Sequence, residues 1–485
     1  MPAILTNLRI REPMPAAAVA AFCVLALQAC GGGGGNNPPP APPTATLSVN
    51  PTTINLGQTA TLTWSSSNTV SCTASGGWSG NENLTGTQTV TPTAAGTVTY
   101  TLTCTGTATG GGPYGGGGTA QSVTQSASLT VNSATPPPPT TFVVKPLVGD
   151  AAGAGATQDK NLVNAWGLVF APGDPVWIAN NGTSTSTLYD GNGVIEQLVV
   201  ALPADATGTA FQPTGIVAPD VKNFPNDFVV TTADGKTSGA AAFIYSGLGG
   251  QIAGWLNPAA GAISAYTATD KACYRGLAIA NNGTANFLYA NDFVGAKIDV
   301  FDAKFAKQAS ATFPFADPNL PKNYSPFGIQ AIANGPNGTT QIYVSYAMVG
   351  ATPGCEDTRG KGFGMISVFD PNGKLVKGEL VPTGGLLNAP WGMALAPKDF
   401  GTLSNALLVS NHADGTVNGY DPTTGAFIGT LQTASGAFAQ DGLWGIAFGN
   451  DGATLNQPHN TLFFTGGPAA AANGIYGRID LPPSK

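Results

Sequence analysis

Trp166, Asn180, Tyr274, Arg275, Asn291, Asp292, Trp391, Asn411, His412, Asp441 and Trp444 are the residues whose types and spacing could do chemistry in this sequence. Each sits just before, just inside or just after a short apolar run, where a strand would pass its side chain to a loop. Asn164, Gln212, Tyr324 and Asn388 hold the same place before such runs, and Asn181, Asp234 and Tyr346 the same place after them. Aromatic rings, amides, a few carboxylates and one arginine suit recognition of a polar organic molecule or a sugar. Asn and Asp at strand ends also make turns, and Trp before Gly also packs between strands. A ligand role and a structural role therefore compete at each position.

Catalytic options are thin. His412 and His459 are the two histidines, too few for a histidine-rich metal site. Glu196, Glu356 and Glu379 are the glutamates of the last two-thirds, and none precedes an inner-strand signature. No cofactor is expected. Coordination chemistry would allow calcium on Asp292, Asp441 and amide oxygens, but no ligand spacing supports it. The glycine runs 31–35 and 115–118 are not followed by Lys-Ser/Thr, so they are not phosphate loops. There is no Gly-x-Ser-x-Gly elbow.

The elements that must position these residues repeat. Trp166-Gly167-Leu168, Thr214-Gly215-Ile216, Arg275-Gly276-Leu277, Phe327-Gly328-Ile329, Trp391-Gly392-Met393 and Trp444-Gly445-Ile446 recur at intervals of 48 to 64 residues. That spacing suits four-stranded propeller blades with loops. A glycine before an apolar run suits an inner strand near a crowded axis. A second strand follows each copy: 176–180, 227–231, 287–291, 342–345, 407–411 and 462–465. Several copies add a third strand ending in an aromatic and Asp, as at Phe301-Asp302, Phe369-Asp370 and Tyr420-Asp421. The expected fold class is all-β: a six-bladed β-propeller over 141–485, preceded by a small immunoglobulin-like β-sandwich. To close the ring, residues 142–147 are expected to supply the outer strand of the last blade, whose third strand is 474–480. In such blades the loop entering the inner strand and the loop leaving the second strand open on one face. All the residues named above would then surround one mouth of the central channel.

The chain has 485 residues, a net charge of −7 and only 9% charged residues, against roughly a quarter in an average soluble protein. Neither the charge nor any Lys/Arg cluster suits nucleic acid. Residues 1–29 read as an export signal, with Arg9 and Arg11 ahead of a small apolar stretch too short to span a membrane. Leu27-Gln28-Ala29-Cys30 is similar to the lipobox of bacterial lipoproteins, which implies cleavage before Cys30 and lipidation of its sulfur. The expected membrane partner is reached through that anchor, at the outer membrane because no Asp follows the cysteine. Residues 30–43 read as a Gly/Pro-rich tether and 133–140 as a Pro-rich linker.

Residues 44–132 alternate apolar and Thr/Ser positions, the pattern of a sandwich strand. Tyr100, Leu102 and Cys104 share its inner face, and Cys72 is the obvious partner for Cys104 in an oxidising compartment. Trp64 lies on the second of the sandwich strands, so a bridge between the third strand (C) and the sixth (F) is expected. Cys273 and Cys355 are expected to join loops of blades three and four.

The runs 161–168, 177–183 with 186–190, 441–450 and 474–479 resemble an uncharacterised family of exported bacterial propellers with NHL-like blades, some of which carry PEP-CTERM-type sorting signals. The resemblance covers about 141–485. It implies six blades and brings no catalytic residues. The leading expectation is a cell-envelope lipoprotein that displays its propeller to a protein, glycan or small-molecule ligand. The alternatives are a hydrolase or lyase for lactones or sugars at the channel mouth, and a purely structural envelope component.

Overall fold

In Gly96–Thr105, Tyr100, Leu102 and Cys104 are buried and the threonines between them face outward, the two-residue period of a strand with one wet face. The computed structural model describes residues 41–108, 119–132, 141–333, 338–350 and 354–483. The signal, Cys30 and the linker 133–140 lie outside the described residues. The chain divides into two units, Met1–Pro136 and Pro137–Lys485.

The first unit has two sheets. One runs in the order Thr44–Asn50, Ala60–Ser67, Thr85–Val90. The other runs Thr53–Asn55, Ser122–Asn132, Gly96–Thr105, Ser71–Gly76, Gly80–Glu82. Leu62 and Trp64 of the first sheet share one core with Tyr100, Leu102 and Leu129 of the second. Cys72 and Cys104 stand directly opposite each other on neighbouring strands and form a disulfide, as the alternation predicts.

In the second unit each signature opens the inner strand of its own sheet. The six inner strands are Ala165–Phe170, Pro213–Val217, Tyr274–Asn281, Tyr324–Ala333, Pro390–Leu395 and Leu443–Phe448. Each packs against the next, and the sixth packs against the first, so the sheets form a closed β-propeller of six blades. The signature glycines lie at the closest approach. A Cβ on Gly328 would overlap the carbonyl oxygen of Trp391, and one on Gly445 would collide with Trp166 O and Leu168. Every inner strand carries a register shift at its signature, which frees the glycine N–H from the ladder. In four blades a second-strand hydroxyl takes that N–H: Ser246 for Gly215, Ser345 for Gly328, Ser410 for Gly392 and Thr465 for Gly445. Ser345, Ser410 and Thr465 then donate to the backbone of the following blade, at Pro390, Trp444 and Trp166.

The ring closes as the sequence predicts. Val143–Gly149 pairs antiparallel with Ile475–Asp480 and becomes the fourth strand of blade six. Phe142 enters the core beside Phe400, ring centroids 4.7 Å apart. Blade two differs from expectation. Its second strand is Phe243–Gly247, whereas Val229–Thr231 pairs with Ser238–Ala240 in a separate hairpin. The reason is burial: every residue of 243–247 is buried, but Val229 and Thr231 are exposed. Asp234 therefore sits in that hairpin's turn, outside the blade.

Candidate functional site

A cavity of about 340 Å³ opens at one end of the central channel. Of the residues singled out in the sequence, Trp166, Arg275, His412, Asp441 and Trp444 line it, together with Asn164 and Asn181. The tryptophans come from inner-strand signatures of blades one and six, and Arg275 from that of blade three. Trp444 is sandwiched: Trp166 stacks on one side at 3.5 Å and His412 on the other at 3.6 Å. Trp444 Nε1 donates to Asn164 Oδ1 at 3.2 Å. Trp391 lies beneath the cavity, edge-on to both tryptophans, and its Nε1 donates to the Arg275 carbonyl at 2.8 Å.

Arg275 forms part of the floor and is 4% exposed. Its guanidinium lies over the rings of Trp166, Phe293 and Phe327 at 5.4, 5.4 and 5.1 Å, a favourable arrangement for a cation. Its ion-pair partner is Asp357 Oδ1, 3.8 Å away and too far for a hydrogen bond. Burial pulls the Arg275 pKa down, and the charges of Asp357 and Glu356 oppose that shift. His412 is held neutral. A carbonyl can only accept and a guanidinium can only donate, so Nδ1–H donates to Leu443 O (3.2 Å) and Nε2 accepts from Arg359 Nη2 (3.0 Å). Burial first, then the charges of Arg359 and Arg275, pushes its pKa down to about 3.

The remaining sequence-selected residues serve the blades. Tyr274 turns away and donates to Asp299 Oδ2 at 2.9 Å. Asn180 donates to Thr185 and Thr187, and Asn411 to Leu386 O and Thr416. Asn291 is fully buried with no hydrogen-bond partner for its amide among the described residues. Asp292 accepts from the backbone of Cys273 and Gly295. It also belongs to a carboxylate group with Asp270 and Asp299. Lys297 reaches all three carboxylates at 2.9 to 3.4 Å and Lys307 reaches Asp299 at 2.7 Å, so two ammonium groups occupy the place a cation would take. Asp292 and Asp441 thus belong to different clusters.

Two parts of the wall escaped sequence reasoning. One is the loop carrying Glu356, Asp357 and Arg359, which follows the second strand of blade four. The disulfide between Cys273 and Cys355 ties it to the residue two before Arg275. A burst of charge beside a cysteine, in a chain so poor in charge, was the available signal. The other is Ala469, Ala470 and Ala471, which are consecutive and all left-handed, with φ of 56, 55 and 69°. Ala470 and Ala471 line the cavity, and the Ala469 N–H donates to Asp441 Oδ2 at 2.8 Å. Left-handed alanines cost roughly 1–2 kcal/mol each, and such strain gathers at functional sites. Nothing in the run of alanines announces that conformation.

No protein-family model matches the chain. Among solved structures, virginiamycin B lyase from Staphylococcus aureus superposes with a TM-score of 0.38 at 11% identity, covering 70% of this chain and 100% of that one. A glucose dehydrogenase gives 0.41 at 14% identity, covering 69% and 98%. Curated sequence relatives come from a virus, where the residue runs above had suggested bacterial ones. Uncharacterised protein L690 of Acanthamoeba polyphaga mimivirus is 28% identical over 356 residues, 70% of this chain and 86% of its own length. Uncharacterised protein R648 of the same virus is 30% identical over 357 residues, 70% of this chain and 80% of its own length. The chain belongs to the family of that mimivirus protein R648.

Proposed function

We propose that this protein is an exported lipoprotein that binds a small polar ligand in the cavity at one mouth of its propeller. The observation that carries the reading is Arg275: a buried guanidinium on the cavity floor with no hydrogen-bond acceptor among the described residues. Asp357 balances its charge, but buried N–H donors left without an acceptor cost stability, and a ligand is the simplest group to offset that cost. The lipobox at Cys30 supports an anchor at the outer membrane. The two-sheet strand order of the first unit and its Cys72–Cys104 bridge support an immunoglobulin-like sandwich, bridged between strands C and F, that acts as a spacer. A volume of about 340 Å³ suits a small molecule, a single sugar or one side chain of a protein partner.

The test is a small-molecule and glycan screen read by tryptophan fluorescence, because Trp166 and Trp444 form the wall. A saturable change that disappears in folded Arg275→Gln supports the site; saturable binding unaffected by Arg275→Gln refutes it. Labelling with palmitate, lost in Cys30→Ser, tests the anchor.

A hydrolase or lyase is favoured by one observation, the unprotonated Nε2 of His412 on the cavity wall. A base whose pKa is about 3 is a weak proton acceptor at neutral pH, so binding ranks first. Turnover of a lactone or ester panel, abolished by His412→Phe, would reverse that order.

A further inference from the structure

We propose that the ligand is a small zwitterion of the amino-acid type, its carboxylate on Arg275 and its ammonium between Asp441 and Glu356. This rests on the cavity being the binding site and adds the class of molecule.

The charges of the wall decide the class. Arg275 and Arg359 face Glu356, Asp357 and Asp441, one more negative than positive. Asp357 is shared between the two arginines, 3.8 Å from Arg275 and 3.6 Å from Arg359. Neither nitrogen is within hydrogen-bonding distance, so Asp357 holds the arginines by charge and leaves the Arg275 donors free, while Arg359 Nη2 is engaged with His412. Among the described residues, none of the guanidinium nitrogens of Arg275 has a hydrogen-bond acceptor, and Trp166 Nε1 beside it has none either. A planar, buried fork of donors without an acceptor matches a carboxylate.

A simple anion would still meet a wall of net negative charge. Glu356 and Asp441 have no ion pair among the described residues, and Asp441 is held only by the Ala469 N–H. Both are exposed at the rim and offer a cation on the same ligand a place to bind. The rings do not provide a competing cation site: both faces of Trp444 are covered by Trp166 and His412, and Arg275 already lies over Trp166. The ammonium therefore goes to the carboxylates, and carboxylate and ammonium on one small molecule satisfy both sets of groups.

The experiment is calorimetric titration of the full-length protein with the common L-amino acids. Any binder is then compared with its primary amide, which lacks the carboxylate, and its N-acetyl form, which lacks the ammonium. Each derivative is expected to bind about tenfold or more weakly than the parent. Arg275→Gln should weaken the parent by a similar factor and leave the amide unchanged. Asp441→Asn, at an exposed position that tolerates change, should weaken the parent and leave the N-acetyl form unchanged. Equal binding of parent, amide and N-acetyl form overturns the proposal. So does absence of amino-acid binding at millimolar concentration. If a neutral sugar then binds in an Arg275-dependent way, the cavity stands as the site and the zwitterion falls. If neither set binds, both readings fall.

Discussion

Replacing Asp357 with Asn removes the ion-pair partner of Arg275, and with it the charge that Arg359 shares. Both side chains are almost fully buried, 5% and 3% exposed, with the charges 3.8 Å apart. At that distance two unit charges attract by about 4 kcal/mol at an effective dielectric constant of roughly 20. Breaking a buried pair by removing one partner costs about 3–5 kcal/mol because the other charge is stranded. Glu356 keeps part of the attraction, so we expect a loss of about 3 kcal/mol. Unfolding entropy of about 2.1 cal/mol/K per residue gives a propeller of this size a fall in Tm of about 4 °C. The assay is calorimetry together with urea unfolding at pH 7. Adding Arg275→Met to Asp357→Asn removes the stranded charge and should restore most of the loss. If Asp357→Asn changes stability by less than about 0.5 kcal/mol, or the double variant is no more stable than the single one, then Arg275 is not an uncompensated charge and the case for its ligand collapses.

Phe142→Ala should cost about 3–4 kcal/mol in urea unfolding, since it empties a buried aromatic site on the closing strand; exposed Val143→Ala should cost far less. Deleting 141–147 should lower the melting point sharply. Gly328→Ala should abolish soluble expression because its Cβ overlaps the Trp391 carbonyl. Gly276→Ala, whose nearest neighbour would be 3.3 Å away, should still fold. His412 has its pKa lowered from 6.5 to about 3 on folding, so the unfolded chain binds more protons between those values and stability falls as the pH drops below 6.5. From pH 7 to pH 5 the wild type should lose about 2 kcal/mol more than His412→Phe. Opening the Cys273–Cys355 disulfide, which spans 82 residues, should cost about 4.5 kcal/mol under the chain-entropy model; a Cys273→Ser/Cys355→Ser variant with unchanged urea midpoint would argue against it.

The blades were legible because the signature records a packing constraint. Glycine must stand where the next strand's backbone passes, and an apolar run must follow. Blade two's second strand was misplaced because Phe228 and Val230 imitate a buried strand locally, while Phe243–Gly247 takes that place through contacts the sequence does not print. At the cavity, Trp166, Arg275 and Trp444 were legible because they belong to the signature itself. Asp357 and Arg359 were not, because a disulfide and a loop deliver them. Asn180 and Asn411 have the residue types of a binding rim, and their amide N–H groups are consumed by strand-end hydrogen bonds.

The strand that closes the ring, Val143–Gly149, is synthesised before every blade it completes. Each of blades one to five is built from one continuous stretch of chain, with a hairpin inserted in blade two, and fits stepwise folding. Blade six must wait for Ile475–Asp480, and bringing those ends together costs about 2 kcal/mol more than closing a loop of one blade's length. Until then the seam offers two unpaired edges. Nothing in the pairing of Val143 with Asp480 requires that both belong to one chain. Two half-folded copies can therefore exchange closing strands and form a dimer in which each seam is sealed by its partner. The same ladder that completes the monomer gives strand exchange between copies a route at high concentration.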